Sequence, residues 1–583
     1  MIRKNVKDIL TKQFQEMPNT NEVMVSEAYA DILIPFTKDL EERLGIYEAR
    51  HYQFITDKYV LVHIPLDRYY EILFRFQEID INVIPSVLGP YSIDALDASG
   101  VLPFHTHPFV PLRGSGVLIG FVDSGIDYTH PTFLYEDNTT KIVSIWDQTI
   151  EGNPPQNFIY GTEYTEEEIN RALESENPYD IVPSRDDTGH GTFLAGIAAG
   201  RYVIEEGFAG AAPDAEILMV KVKEAKAYLK RDYLIREDAI VYANTDVILG
   251  IKYLLNKAVA LRRPIVICIG LGTNIGGHDG TAIIEEIIAE VGDVVGVAII
   301  VCAGNEANLG HHYLGVYPQG QRFQDVDIRI APNEKGITFR LWASAPDIYS
   351  VGILSPMGEF ISRLSPRIGQ REEIKLLLER SRVYVEYQLM DKRTGDQMIV
   401  FRIEEPTPGI WTLRVYGDLV VSGNYNIWLP REGWSDPATQ FLLPSPSMTV
   451  TIPGTNTIPI TVGAYNHLDD SLYISSGRGP TRNLMIKPDL VAPGVNIRGP
   501  IPNNTYGTRT GTSISTAQVA GAAAILFEWG IVEGRLPQMD TRIIRKLLIR
   551  GATRRVGISY PNNEWGFGAL NLLNSYELLR GTF

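Results

Sequence analysis

Three short segments of this 583-residue chain carry residue types that together do acyl-transfer chemistry. Asp123 opens Asp123-Ser124-Gly125-Ile126-Asp127, His190 sits in Asp187-Thr188-Gly189-His190-Gly191-Thr192, and Ser513 sits in Gly511-Thr512-Ser513-Ile514-Ser515-Thr516-Ala517. A serine hydroxyl is a weak nucleophile at neutral pH, so an imidazole must take its proton during attack and return it to the leaving group. A carboxylate holds that imidazole in one tautomer and stabilises its protonated form. The chain order Asp, His, Ser is one of several in which this constellation occurs. Ser513 is therefore assigned as nucleophile, His190 as general base and then acid, and Asp123 as orienting carboxylate. Taken singly, each segment reads as a turn, a tight loop or a helix cap. All three in order, each at the boundary of a regular element, point to a serine hydrolase.

The flanking patterns supply those elements. The apolar run from Val117 to Val122 reads as a buried parallel strand that delivers Asp123 at its C-terminal end. Small and apolar residues from Phe193 to Ala199 predict a helix beginning beside His190, and those from Thr516 to Phe527 predict a buried helix with Ser513 at its N-terminus. Free N–H groups and a positive dipole at such an end favour an oxyanion. A fourth run, Val297 to Val301, leads into Cys302-Ala303-Gly304-Asn305-Glu306. Asn305 is thus placed to donate to the oxyanion beside the Ser513 N–H; in isolation a Gly-Asn pair reads as a turn. The fold class expected is α/β, a parallel sheet with helices on both faces.

With these motifs the chain resembles the subtilisin-like serine peptidases, the subtilases. Gly210 to Val222, Ile460-Thr-Val-Gly-Ala464, Ser475-Ser476-Gly477 and Lys487 to Gly494 are similar to further blocks of that family, in family order. Gly270-Leu271-Gly272, after Ile265 to Ile269, resembles the family's Ser-Leu-Gly edge segment, which the resemblance implies pairs with substrate backbone; Gly270 stands where serine is usual. After the nucleophile the chain has Ile514-Ser515-Thr516-Ala517 in place of the usual Met-Ala-Thr-Pro. The resemblance covers roughly residues 112–312 and 445–575. It implies a protein or peptide substrate and no cofactor for the chemistry. Calcium commonly supports subtilases, and no EF-hand-like loop is present here, so calcium dependence stays open.

Hydrophobic residues at 44% and charged residues at 21% are ordinary globular values, which excludes wholesale disorder. A net charge of −17 argues against non-specific nucleic-acid or anionic-membrane binding. Cys268 and Cys302, both in apolar strand runs, read as buried free thiols. The N-terminal dozen residues are basic without the apolar stretch of a secretory signal, which predicts cytoplasmic synthesis. No stretch is read as the roughly 20 apolar residues that span a bilayer.

The chain divides into four expected parts: residues 1–95, a small α+β module; 96–312 and 444–583, the two parts of the catalytic domain; and 313–443, an inserted β-sandwich or jelly roll. In the first part the segments 22–34, 59–64, 67–79 and 82–87 suggest strands around helices. Many subtilases carry such a module as a propeptide, so the resemblance implies autocleavage between Leu88 and Gly100 and a propeptide that can be retained. The insertion is read from alternating segments such as Ile337 to Trp342 and Trp411 to Val415. A second, polar and acidic insertion is expected from Tyr135 to Arg185, with 163–168 a solvated face. This combination resembles the clostridial Csp peptidases, a group that acts in spore germination by cleaving the precursor of a cortex-lytic enzyme. The resemblance thus implies spore association.

Other signals are weaker. Gly114 to Gly120 has the wrong spacing for a dinucleotide fingerprint and reads as the turn into the Asp123 strand. His105, His107 and the pair His311-His312 lack ligand spacing for zinc and read as surface loops. Two rival classes remain: a catalytically silent binding protein on the same scaffold, and an esterase or amidase, against which the peptide-pairing segment Gly270 to Gly272 argues.

Overall fold

Leu118–Asp123 is buried along its whole length because both of its faces meet apolar helices. Ile119 and Phe121 join one core with Ala195 and Val519, while Leu118 and Val122 join a second core with Ile251 and Leu254. A strand covered on both faces needs apolar residues at every position, which is why it reads as a continuous run. These contacts come from a computed structural model, which describes residues 28–35, 40, 44–45, 48–49, 51–54, 59–68, 92–105, 111–367 and 371–580. Two compact units are present, Met1–Gly89 and Pro90–Phe583.

The first unit contains a three-stranded antiparallel sheet in the order Tyr29–Pro35, Tyr59–Pro65, His51–Phe54. Val60, Val62 and Ile64 of its central strand are buried, as is His63. Most of the segment 67–79, the segment 82–87 and the linker residues 88–91 lie outside the described residues.

The second unit is built on an eight-stranded sheet. Its order is Leu490–Pro493, Ile460–Tyr465, Val297–Cys302, Ile265–Ile269, Leu118–Asp123, Glu216–Lys221, Ile142–Asp147, Thr162–Thr165. All neighbours are parallel except the last pair. Helices His190–Ala199 and Thr512–Phe527 cover one face, and Asn244–Leu261 and Ile283–Gly292 the other. Ser92–Ala98, inside the expected cleavage linker, is a helix of this unit with Ala95 and Leu96 buried in its core.

Four expectations are corrected. Tyr135 to Arg185 is not simply a polar insertion: Ile142–Asp147 is an integral strand and Thr162–Thr165 forms the sheet's edge. The acidic run starts a helix through a capping box between Thr165 and Glu168, and Glu163 accepts from Tyr253 Oη at 2.7 Å and pairs with Lys257. His311 and His312 are buried rather than surface residues, His312 stacking 4.9 Å from Trp428. Finally, Thr512–Val532 is long and apolar enough to cross a membrane by length and composition; here 89% of that window is buried inside the protein as core.

Between the Asn305 and Ser513 segments the chain forms two antiparallel sheets. One has the order His312–Val316, Asn424–Trp428, Gly336–Ala343, Gln397–Glu404, Arg382–Gln388, Arg371–Lys375, the other Phe360–Leu364, Ile348–Leu354, Gly409–Leu419, Gln324–Ile330, Gln440–Phe441. Alternate residues from both, among them Ile328, Leu413, Phe339 and Phe401, share one core, which makes a β-sandwich. The sandwich is pinned to the catalytic sheet by Arg482, which pairs with both Asp279 and Asp396, and by His278 stacked 4.1 Å from Trp428.

A buried lysine secures the far end of the His190 helix. Lys141 Nζ donates to Ala199 O at 2.6 Å and to Pro213 O. Burial pulls its pKa down to about 7. The folded chain therefore binds fewer protons than the unfolded chain between that value and the ordinary lysine range, so stability should rise with pH across this window. In Lys141→Met that rise should be missing, which urea unfolding at pH 7, 8.5 and 10 would read.

Candidate active site

Three adjacent parallel strands end at the same edge of the sheet, and each delivers one part of the site. Leu118–Asp123 ends on the carboxylate, Ile265–Ile269 runs into Gly270, and Val297–Cys302 leads to Asn305. His190 is the first residue of its helix and Ser513 lies in the first turn of its own. His190 Nδ1 lies 2.7 Å from Asp123 Oδ1, and His190 Nε2 lies 3.1 Å from Ser513 Oγ. An ionised carboxylate only accepts, so Nδ1 carries the proton and Nε2 is left to accept from the serine hydroxyl. Asp123 is buried, whereas the His190 side chain is 31% exposed, so a substrate can reach the imidazole. Burial works against protonation of His190, but the charge and hydrogen bond of Asp123 outweigh it and raise the imidazole pKa.

Two residues not picked out from the sequence hold this geometry. Asp186 accepts from Ser124 Oγ at 2.8 Å, Gly189 N at 2.9 Å, Thr192 N at 2.8 Å and Thr192 Oγ1 at 2.7 Å, so it caps the His190 helix from outside it. Ser124 Oγ in turn accepts from Gly191 N at 3.0 Å, and Ser124 N donates to Asp123 Oδ1 at 2.8 Å. The histidine and aspartate loops are thereby tied together. Their approach requires Gly191, since a Cβ there would overlap Gly125 O. The available signal was an acceptor side chain shortly before a predicted helix start.

Asn305 is oriented by Thr512. Its Oδ1 accepts from Thr512 N and from Thr512 Oγ1, each at 3.1 Å, which turns Nδ2 the other way. A Cβ placed on Gly511 would stand 3.5 Å from that Nδ2 and 3.6 Å from Ser513 Oγ, so both face one space. Removing one oxyanion donor costs about 10²–10³-fold in kcat, a figure that comes from subtilisin. Asn305→Ala is expected to lose that much with little change in KM, measured by steady-state kinetics on a peptide substrate.

Gly270 and Gly272 line the cleft beside Ser513. A Cβ on Gly270 would lie 2.6 Å from Leu194 Cδ1 and 3.1 Å from His190 Cε1, which accounts for glycine at this position. Leu271 faces away into a neighbouring apolar pocket, the alternation of an extended segment. Cys268 and Cys302 are both free and buried, and burial pushes both thiols up. His105 Nε2 is 2.9 Å from Ala211 O, while His107 lies outside the described residues. Among the described residues no group of His, Cys, Asp and Glu is arranged to hold a metal.

The profile of the subtilase family matches residues 114–328 and 423–568, more than half of the chain. The chain belongs to the subtilase family. Its solved relatives include the CspB protease of Clostridium perfringens, 33% identical with a TM-score of 0.75, the match covering 84% of this chain and 100% of that one. Serine protease AprX of Bacillus subtilis (strain 168) is 32% identical over 149 residues, 22% of this subtilase and 32% of AprX. Minor extracellular protease Vpr of the same organism is 33% identical over 113 residues, 18% and 13% of the two chains. These curated relatives are thus matched over a third or less of their length, while the CspB protease is matched throughout. Residues 135–185 lie inside the family match and give the sheet the strands Ile142–Asp147 and Thr162–Thr165, whereas much of the sandwich falls in the gap between the two parts of that match.

Proposed function

We propose that this subtilase is a serine endopeptidase that processes its own N-terminal module and then acts by limited proteolysis on another protein. The unbroken relay from Asp123 through His190 to Ser513, at 2.7 and 3.1 Å, carries the reading. As Ser513 Oγ attacks a peptide carbonyl, Nε2 of His190 takes its proton and Asp123 stabilises the resulting imidazolium. The carbonyl oxygen develops charge towards Asn305 Nδ2 and the Ser513 N–H, one of the helix N–H groups with no intrahelical acceptor. His190 then protonates the departing amine, and water releases the acyl group by the same steps in reverse.

Self-processing is supported by the arrangement of a separate unit, Met1–Gly89, immediately before the catalytic one. A peptidase cuts extended chain, and Ser92–Ala98 is helical, so the cut is inferred to fall before Ser92. Similarity to the CspB protease over its whole length supports a Csp-type role, activation of a precursor in spore germination, for a chain made in the cytoplasm and held in the spore.

Intact mass spectrometry of the chain and of Ser513→Ala tests the reading. Wild type is expected to appear as two fragments and the variant as one. If both stay whole, or both are cut at one place, self-processing is lost. If in addition a fluorophosphonate fails to label Ser513, the catalytic reading is lost with it.

A further inference from the structure

The sandwich reaches into the catalytic cleft. Directly after its strand Asn424–Trp428, the chain passes through Leu429 and Pro430 and places Arg431 and Glu432 in the cleft of about 450 Å³ that also holds His190, Asn305 and Ser513. Glu432 N donates to Glu306 Oε1 at 3.0 Å, which ties this return segment to the residue that follows Asn305. Arg431 Nη1 donates to Gly272 O at 3.3 Å, and its guanidinium lies 5.7 Å from the Trp434 ring.

The lining of this cleft is polar. Apart from three glycines and Cys302 it consists of side chains that carry oxygen or nitrogen, with no Val, Leu, Ile, Met, Phe or Trp among them. Thr451, 3% exposed, also lines it, and its Oγ1 is buried without a hydrogen-bond partner among the described residues. A Cβ on either Gly272 or Gly304 would run into Thr451, so the threonine is wedged between the two walls. Glu306 also lines the cleft, but its carboxylate is committed to Asn274 Nδ2 at 3.1 Å, His311 Nδ1 at 2.6 Å and Glu432 N. Among the described residues the donor bond of Arg431 runs from Nη1 to the cleft wall at Gly272 O, and none runs to Glu306. The pocket on the other side of Gly272, about 800 Å³, is mostly apolar, with Val247, Leu271, Ile283 and Ile452 on its wall, and Arg431 stands between the two and lines both.

The structure assigns Arg431, a residue of the β-sandwich, as the determinant of side-chain choice at the scissile bond. We infer that the residue contributing the cleaved carbonyl carries an oxygen at the tip of its side chain, which accepts from Arg431. A planar guanidinium presents several donors at fixed angles and is suited to such an oxygen. A hydrocarbon tip would strip water from Arg431 and Thr451 without replacing the bonds lost, the condition under which a polar site rejects an isostere strongly. This inference rests on the peptidase reading and names the class of substrate for it.

Its test uses the full chain and two pairs of peptides that differ only in that residue, Gln against Met and Tyr against Phe, so size stays nearly constant within each pair. In wild type, kcat/KM for Gln and for Tyr should exceed that of the hydrocarbon partner by about 10-fold or more. In Arg431→Met both ratios should fall to within about 3-fold, and Arg431→Lys should restore part of the preference, since it keeps the charge without the fork. Ratios within one preparation do not depend on how much of a variant is folded. Equal or reversed ratios in wild type, or ratios that survive Arg431→Met, would overturn the assignment while leaving a peptidase. A chain that cleaves no peptide and does not label with a fluorophosphonate would overturn both readings.

Discussion

Replacing His190 by alanine is expected to cost about 10⁶-fold in kcat on a peptide substrate, and adding Ser513→Ala to it should cost almost nothing more. The reason is that the two residues perform one step. Ser513 Oγ lies 3.1 Å from His190 Nε2 and needs that nitrogen to lose its proton, so a serine without the imidazole attacks no better than an absent one. The scale is that of subtilisin, where losing either partner alone costs about as much as losing the whole triad. Residual hydrolysis of about 10³–10⁴-fold over water should remain in both variants, because the oxyanion donors and substrate contacts do not depend on His190. Single-turnover kinetics on the two single variants and the double variant read all three quantities. A loss below about 100-fold for His190→Ala, or losses that add in the double variant, would mean that another group serves as base.

The triad, Asn305 and the segment 270–272 were legible because each stands at the end of an uninterrupted apolar run, and burial on two faces makes such runs unmistakable. Asp123, His190, Ser513 and Asn305 accordingly meet where strand ends and helix starts place them. Ile142–Asp147 was hidden for the opposite reason: it is short, carries Ser144 and is flanked by acidic and polar stretches, so its parallel pairing with Glu216–Lys221 left little trace. Asp186 and Ser124 act through hydrogen bonds to backbone and to each other, for which residue type near a loop is a poor sign. Arg431 and Thr451 could not be connected with the site at all. They lie more than a hundred residues from Gly272; the docking of the sandwich, through Arg482 and the His278–Trp428 stack, brings Arg431 to it, and Thr451 arrives with the second part of the catalytic domain, its N donating to Ala303 O at 2.9 Å. His311 and His312 looked like a surface pair because two polar residues in sequence rarely share a core; here Glu306 takes the first at 2.6 Å and Asn426 Oδ1 the second at 2.9 Å.

In Asp123→Asn both the rate and its pH dependence should change. His190 must be neutral at Nε2 to act as base, so kcat/KM falls as pH drops through the imidazole pKa. In the wild type burial disfavours the imidazolium and Arg509 adds to that, yet Asp123 prevails and holds the pKa above the ordinary value of 6.5. The acid limb of the wild-type profile should therefore lie above pH 6.5. An asparagine keeps the shape of Asp123 but has no charge, so burial and Arg509 then act unopposed by it and the limb should move to lower pH. Its amide can also donate to Nδ1, which would leave the proton on Nε2, facing Ser513 Oγ with a donor instead of an acceptor. The plateau should accordingly fall by about 10⁴-fold, the loss this change brings in other Asp–His–Ser sites. The two effects separate the roles of the carboxylate: a lower plateau with an unmoved limb would leave Asp123 as an orienting group alone, and a moved limb with an intact plateau would leave it as a charge alone. Both together are what a buried carboxylate 2.7 Å from Nδ1 should produce.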